Sequence, residues 1–168
     1  GDPATVTEKE TNVSATADAD LSGTTITFWH SMSGVNGEAL TALVDRFNEE
    51  NTYGITVDAE FEGEYDDAIN KLKSIMVGVS GPDLIQVYEI GTRFMIDSGW
   101  VIPMQELMDA NGYDNSNIVP NIAAYYTIDD QLYSMPFNTS TPILYYNKDM
   151  FTKAGIDASK DLKSFEDL

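Results

Sequence analysis

Apolar residues in the first half of the chain change their spacing repeatedly, and this change constrains the fold more than any other feature. Residues 24–29 are β-branched and aromatic, which favours a strand, and apolar residues at helical spacing follow from Glu38. Residues 55–61 alternate as in a half-buried strand, and a second amphipathic helix is indicated after Gly63. Strands and helices that alternate at these lengths predict βαβ units around a largely parallel sheet, with an α/β fold.

The second half of the chain has shorter sequence patterns, each typical of one strand, turn or helix. Asp129-Asp130 lies between two β-branched and aromatic runs, as in a hairpin turn, and Asn147 or Asp149 is placed to cap a helix that stops at Gly155. The segment after Gly81-Pro82 reads as a fully buried strand. The predicted elements are strands at 84–88, 125–128, 131–135 and 142–146 and helices at 92–97, 104–110 and 148–154.

Composition excludes several classes of function. The 168 residues carry a net charge of -19, from nine basic and 28 acidic side chains, which excludes binding to a nucleic-acid backbone or an anionic membrane surface. The absence of cysteine and the presence of one histidine, His30, leave no disulfide scaffold, cysteine nucleophile or histidine metal cluster. We expect no metal and no cofactor, and we expect His30 to be structural because Ser31 would point to the opposite face.

The two ends of the chain differ from its middle. Residues 1–22 contain almost no large apolar side chain and predict a flexible acidic leader, which either tethers the domain to a membrane anchor or is a tail without a role. Near the C terminus, Ser164 is followed by the acidic pair Glu166 and Asp167, the pattern of a capping box that begins a helix. We therefore expect the sequence to be a fragment of a longer protein.

Three loops are candidate ligand sites, because ligands of parallel sheets bind at the carboxyl ends of the strands. They lie at 30–37, 63–66 and 89–92. Glu89 follows the predicted buried strand, where its carboxylate could accept two hydrogen bonds from a vicinal diol. From spacing alone, an exposed acid that interacts with a helix dipole is an equal alternative.

Two hydroxyl side chains carry open alternatives of the same kind. Tyr65 either presents its ring at the second loop or is the first core residue of its helix. Ser140 lies in a polar run between two apolar segments, where its hydroxyl either binds a ligand or satisfies a strand crossover.

Four motifs, in order and with fitting gaps, resemble a known family. They are Phe28-Trp29-His30-Ser31-Met32, Gly63-Glu64-Tyr65, residues 86–92 and residues 136–149. Together the sequence from about Thr24 onward resembles the extracellular solute-binding proteins of bacterial ABC importers, which include maltose-binding protein, and within them the glycerol-3-phosphate binders. The resemblance implies a type II periplasmic-binding-protein lobe, with a mostly parallel sheet and helices on both faces, from a two-lobe protein. Residues 23–139 would form the N-terminal lobe, and 140–168 the crossing strand and the start of the second lobe.

The resemblance also implies a function. The chain would capture glycerol 3-phosphate or a glycerophosphodiester by two-lobe closure and deliver it to the permease subunits of the importer. Tyr65, Glu89 and Ser140 match ligand contacts of the glycerol-3-phosphate binders, and Ser33 borders the cleft by similarity to the wider family. Glu89 would face the glycerol hydroxyls, because a carboxylate repels the phosphate.

Location and partners follow from the same resemblance. We expect an extracellular or periplasmic monomer that binds no nucleic acid and is attached to the membrane only through a lipid anchor. The alternatives are a binding protein for an uncharged sugar or polyol, a surface sensor domain, and an enzyme such as a phosphatase or glycosidase. The enzyme would need a second acid beside Glu89, and the sequence designates none, so we expect no catalytic activity.

Overall fold

The first strand, β1 (Thr25–His30), lies at the centre of a parallel three-stranded sheet in this computed structural model, which describes residues 20–76, 81–161, 164 and 166. β1 pairs along its full length with β2 (Thr56–Phe61) and over two residues with β3 (Leu84–Ile85). The order β2-β1-β3, with helices between the strands, confirms the predicted α/β fold with a parallel sheet. Residues 1–19 of the predicted leader and two residues of the predicted capping box, 165 and 167, lie outside the described residues.

The helix between β1 and β2 begins earlier than the sequence predicts. α1 spans Gly34–Glu50, so the loop after β1 contains only Ser31, Met32 and Ser33. Gly34 has a positive φ of 54°, and a side chain at Gly37 would come within 2.9 Å of the Met32 carbonyl oxygen. These glycines allow the chain to turn sharply from strand to helix, and the predicted loop at 30–37 is correspondingly shorter.

The second helix and the helices after β3 agree with their patterns. α2 (Tyr65–Ile75) buries Ala68, Ile69 and Leu72, and the side chains of Glu64 and Asp67 form a capping box at its start. A short 3-10 helix (Glu89–Gly91) leads into α3 (Thr92–Ser98), and α4 (Met104–Asn111) follows. Trp29, Leu72 and Met95 are buried together on one side of β1, which joins β1, α2 and α3 into one core.

The other side of β1 carries a second group of rings. His30 lies 5.7 Å from the Phe28 ring and 5.9 Å from the Phe61 ring, between centroids, and Phe137 contacts Phe28 edge-on. His30 is 7% exposed, and its Nδ1 accepts a hydrogen bond from the Met32 N–H at 3.2 Å. Burial lowers the pKa of His30, while the charge of Glu62 opposes this shift. These contacts agree with the predicted structural role.

Three strand predictions need correction. The strand expected at 84–88 pairs only at Leu84–Ile85, and Leu84 is half exposed because β3 is an edge strand of the described sheet. The hairpin is confirmed but is shorter, with β4 (Thr127–Ile128) and β5 (Gln131–Leu132), because Tyr125 closes a helix, α5 (Pro120–Tyr125). Its two turn residues, Asp129 and Asp130, both have positive φ, as a two-residue hairpin turn requires.

The third correction concerns residues 142–146, which form no strand in the part of the chain that the structure describes. A strand needs a neighbour to satisfy its N–H and C=O groups, and the described residues provide none there. The chain divides into two compact units, one ending at Phe137 and the other beginning at Asn138. The second unit contains α6 (Lys148–Lys153), capped by the Asn147 side chain as predicted, and α7 (Ala158–Asp161). Among the described residues, no helix is both long enough and apolar enough to cross a membrane.

Candidate functional site

The carboxyl ends of the three parallel strands lead into three short connections. The loop after β1 holds Ser31 and Ser33, the loop after β2 leads into α2 at Tyr65, and the segment after β3 carries Gln86, Tyr88 and Glu89. Of the four predicted site residues, Tyr65 follows β2 and Glu89 follows β3, the two outer strands of the described sheet, and Ser33 follows the central strand β1, so all three lie on one edge of the sheet. This edge is the surface where parallel sheets bind ligands.

Tyr65 and Glu89 are connected through Tyr88. The rings of Tyr65 and Tyr88 are stacked, with centroids 5.5 Å apart and an interplanar angle of 16°. The Tyr88 hydroxyl donates a hydrogen bond of 2.6 Å to Oδ1 of Asp66, the residue after Tyr65. Because Glu89 directly follows Tyr88, the loops after β2 and β3 form one surface, which we call the sheet-edge cluster: Tyr65, Asp66, Tyr88 and Glu89.

Close packing beneath the cluster fixes the two loops against each other. A side chain at Gly91 would come within 2.7 Å of both Ile69 Cδ1 and Val87 Cγ1, so any other residue here would force one of these side chains or the 3-10 helix to move. Gly63, with a φ of 81°, provides the turn into α2. The loops are therefore held by glycine contacts as well as by the Tyr88 hydrogen bond.

The loop after β1 is tied to β3 by Gln86. The buried Gln86 side chain accepts a hydrogen bond from the Ser31 N–H at 3.0 Å. Ser33 is the exposed N-cap residue of α1, and its side chain makes no capping hydrogen bond. Its hydroxyl is therefore not committed to the helix that it precedes.

The two carboxylates make the cluster negative, and this charge acts on Tyr88 and on the nearby Tyr126. The hydrogen bond to Asp66 raises the pKa of Tyr88, and the Glu89 carboxylate contributes in the same direction. Burial raises the pKa of Tyr126, and Glu89 raises it further, so Tyr126 is close enough to sense the Glu89 charge. At neutral pH these phenols stay protonated and can donate hydrogen bonds beside two carboxylates.

The described cations of the first unit are engaged elsewhere. Lys71 pairs with Glu62 at 2.6 Å and lies over the Trp29 ring, whereas Arg93 pairs with Asp97 at 2.7 Å. Lys73 lies over the Phe94 ring, and Arg46 is 4.0 Å from Glu50. An anionic group on a ligand of this edge would consequently need a cationic partner from another part of the protein.

Ser140 lies in the second compact unit, which is described by itself. It is exposed and belongs to no helix or strand. Its role as a ligand contact stays a prediction, as do those of Tyr65, Glu89 and Ser33. Among the described residues, no group of three or more His, Cys, Asp or Glu could hold a metal ion.

Sequence reasoning missed Tyr88, Asp66, Tyr126 and Gln86. The sequence predicts Tyr88 as the last residue of a buried strand, whereas β3 ends three residues earlier and leaves Tyr88 beside the α2 N terminus. The sequence feature that could have identified Tyr88 is its position directly before Glu89, in the connection after β3.

Comparison with known proteins identifies relatives of the chain. Residues 33–168 match the family described as bacterial extracellular solute-binding protein. The chain is 40% identical over 153 residues to the sn-glycerol-3-phosphate-binding periplasmic protein UgpB of Salmonella paratyphi A, a match that covers 88% of this chain and 34% of that protein. The chain thus spans about a third of the length of the curated relatives that it matches.

Two solved structures have a similar fold. UgpB from Mycobacterium tuberculosis, in complex with glycerophosphocholine, superposes with a TM-score of 0.67 at 28% identity, over 81% of this chain and 35% of that one. The maltose/maltodextrin-binding domain MalE from Bdellovibrio bacteriovorus, bound to maltotriose, gives a TM-score of 0.51 at 26% identity, over 64% and 26%. Both likenesses support the predicted type II solute-binding fold.

Proposed function

The chain belongs to the bacterial extracellular solute-binding protein family, and we propose that it is part of a protein that captures glycerol 3-phosphate or a related glycerophosphodiester for an ABC importer. The observation that carries the proposal is the pairing of Tyr65 with the Tyr88–Glu89 connection on the carboxyl edge of the sheet. The 40% identity to a glycerol-3-phosphate-binding protein supports the same ligand class.

Each predicted site residue has a defined role in this proposal. Glu89 accepts hydrogen bonds from two glycerol hydroxyls, which are stronger than neutral bonds because the acceptor is charged. Tyr65 and Ser140 donate hydrogen bonds to ligand oxygens, and Ser33 borders the cleft. The phosphate is held by residues beyond this unit, because the sheet-edge cluster contains two carboxylates, which repel a phosphate, and no cation.

The proposed mechanism is capture by closure of two lobes. Ligand first contacts the edge of this lobe, and a second lobe then covers it and provides the phosphate contacts. Contacts to both lobes stabilise the closed state, which the permease subunits recognise. We place the protein outside the cytoplasmic membrane as a monomer tethered by a lipid anchor, and we assign it no catalytic activity.

An uncharged sugar or polyol is the second candidate ligand. Glu89 and the tyrosines would bind neutral hydroxyls equally well, and MalE from Bdellovibrio bacteriovorus, which resembles this chain, is bound to maltotriose. What separates the two ligand classes is a cationic phosphate contact from the rest of the protein.

Calorimetric titration of the whole protein tests the proposal. We expect saturable binding of sn-glycerol 3-phosphate or glycerophosphocholine, with glycerol and maltose as uncharged controls. Binding of maltose without either phosphate would favour the second candidate, and release of inorganic phosphate during the titration would indicate an enzyme. Failure of all four compounds to bind would overturn the proposal.

A further inference from the structure

The position of Tyr65 in the fold leaves its side chain free to adopt more than one orientation. Tyr65 is the first residue of α2, it is only half-buried, and it begins the helix at a turn made by Gly63. A mobile tyrosine loses side-chain freedom when a ligand orders it, and this loss weakens binding. A ligand contact at this position therefore gains affinity from any neighbour that holds its ring before the ligand arrives.

Tyr88 makes two contacts with the start of α2, one with the Tyr65 ring and one with the neighbouring Asp66. Its own ring lies nearly parallel to that of Tyr65, with centroids 5.5 Å apart. Its hydroxyl is hydrogen-bonded at 2.6 Å to Asp66, which lies next to Tyr65 in the first turn of α2. The ring and the hydroxyl of Tyr88 thus both contact the first turn of α2, and the Tyr88 ring packs against the Tyr65 ring.

The same side chain belongs to the connection that carries Glu89. Tyr88 precedes Glu89, which begins the 3-10 helix, and Gly91 packs within van der Waals reach of Ile69 in α2. The close packing of Gly91 against α2 holds this connection in place whether or not the Tyr88 hydroxyl is present. The hydrogen bond to Asp66 raises the pKa of Tyr88 further above neutral pH, where the phenol is protonated and donates this bond.

From this geometry we propose that Tyr88 is a positioning residue for ligand binding: through its Asp66 hydrogen bond and its stacked ring, it fixes Tyr65 in the ligand-contacting orientation. Tyr88 acts through Tyr65 and needs no ligand contact of its own. The inference rests on the proposed function, since it assigns a role within that binding site.

A double-mutant cycle in the whole protein tests the inference, with sn-glycerol 3-phosphate and glycerophosphocholine as the probes. Tyr88→Phe keeps the ring and removes the hydroxyl, and we expect it to weaken binding about fivefold, the effect of one lost hydrogen bond. Asp66→Ala removes the acceptor of the same hydrogen bond and should weaken binding by about the same factor. In a Tyr65→Ala background, Tyr88→Phe should have no further effect, because coupled residues are not additive.

Matched controls separate positioning from general damage. Tyr113→Phe removes the hydroxyl of an exposed tyrosine outside the cluster, and we expect unchanged affinity. Thermal unfolding of each variant shows whether it is folded, and Tyr88→Leu, which also removes the ring, should bind more weakly than Tyr88→Phe.

Two results would overturn the inference while the proposed function stands. One is wild-type affinity in Tyr88→Phe, and the other is an equal loss from Tyr88→Phe with Tyr65 present or replaced by alanine. If the wild-type protein binds neither probe, the proposed function fails and the inference fails with it.

Discussion

The Trp29 side of the sheet and the sheet-edge cluster are built on the same strands but differ in burial and charge. Trp29, Leu72 and Met95 are each at most 6% exposed and form a closed apolar core. Glu89 is exposed and Tyr65 is half-buried, and the cluster carries two carboxylates. The core therefore holds the strands in place, while the edge remains free to contact a ligand. Substitutions in the core should mainly lower stability, and substitutions at the edge should mainly weaken binding.

Leu72→Ala is the strongest test of the core side of this comparison. Removing a fully buried leucine side chain leaves a cavity beside Trp29 and Met95, and we expect a loss of about 3 kcal/mol of unfolding free energy. Denaturant unfolding measures it. Leu43→Ala, on the exposed surface of α1, is the control and should cost less than about 1 kcal/mol. Equal losses in the two variants would refute the assignment of the core.

Gly91→Ala tests the point where core and edge meet. The added carbon would lie within 2.7 Å of Ile69 and Val87, so we expect about 2 kcal/mol of destabilisation together with weaker ligand binding, because Glu89 moves with the 3-10 helix. Thermal unfolding and calorimetry on the same variant provide both values. Adding Ile69→Val removes one of the two clashing atoms and should restore part of the stability. A variant with normal stability and affinity would show that the close packing is unnecessary.

The pH dependence of stability tests the burial of His30, which lies on the face of the sheet opposite Trp29. Burial lowers the pKa of His30 below its ordinary value of 6.5. Near and below that pH, the unfolded chain therefore binds more protons than the folded chain. Stability should therefore fall as the pH decreases from about 7 to about 5, and part of this fall should disappear in His30→Phe. Thermal midpoints of both proteins across this range provide the measurement. Parallel pH profiles would contradict the assigned burial effect.

Ser33→Ala should have the smallest effect. The Ser33 side chain makes no capping hydrogen bond, so its removal should cost less than about 0.5 kcal/mol of stability, below the usual cost of a lost cap. If Ser33 borders the ligand, affinity should fall about twofold to threefold. Calorimetry decides this point, with Ser98→Ala as a hydroxyl control distant in sequence. An unchanged affinity would remove Ser33 from the proposed site.

The sequence predicted those parts of the fold in which local pattern and tertiary burial agree. α2 matched because its apolar spacing coincides with the residues it buries, Ala68, Ile69 and Leu72. Residues 142–146 had a strand pattern too, but Ile143, Leu144 and Tyr145 are exposed and unpaired among the described residues. A strand depends on a neighbour that its own sequence does not contain, and local propensity is therefore an insufficient guide there.

The candidate site was predicted in part for a similar reason. Glu89 and Tyr65 could be placed at the sheet edge because each lies after a strand, and carboxyl ends of parallel strands meet at one edge, whereas their ligand roles are implied by the family resemblance and stay predictions. Tyr88 and Asp66 were not, because their contact joins residues 22 positions apart and depends on where β3 ends. The buried run at 84–88 predicts a strand that includes Tyr88, and only the fold brings the Tyr88 hydroxyl to the α2 N terminus.

The most direct test of the account is the affinity of Glu89→Gln for sn-glycerol 3-phosphate and glycerophosphocholine, measured by calorimetry on the whole protein beside its unfolding free energy. Because Glu89 is exposed, the account predicts unchanged stability within about 0.5 kcal/mol. Loss of the charged acceptor should weaken binding of the preferred ligand at least about tenfold. Wild-type affinity in Glu89→Gln would contradict the claim that the carboxyl edge of the sheet holds the ligand hydroxyls.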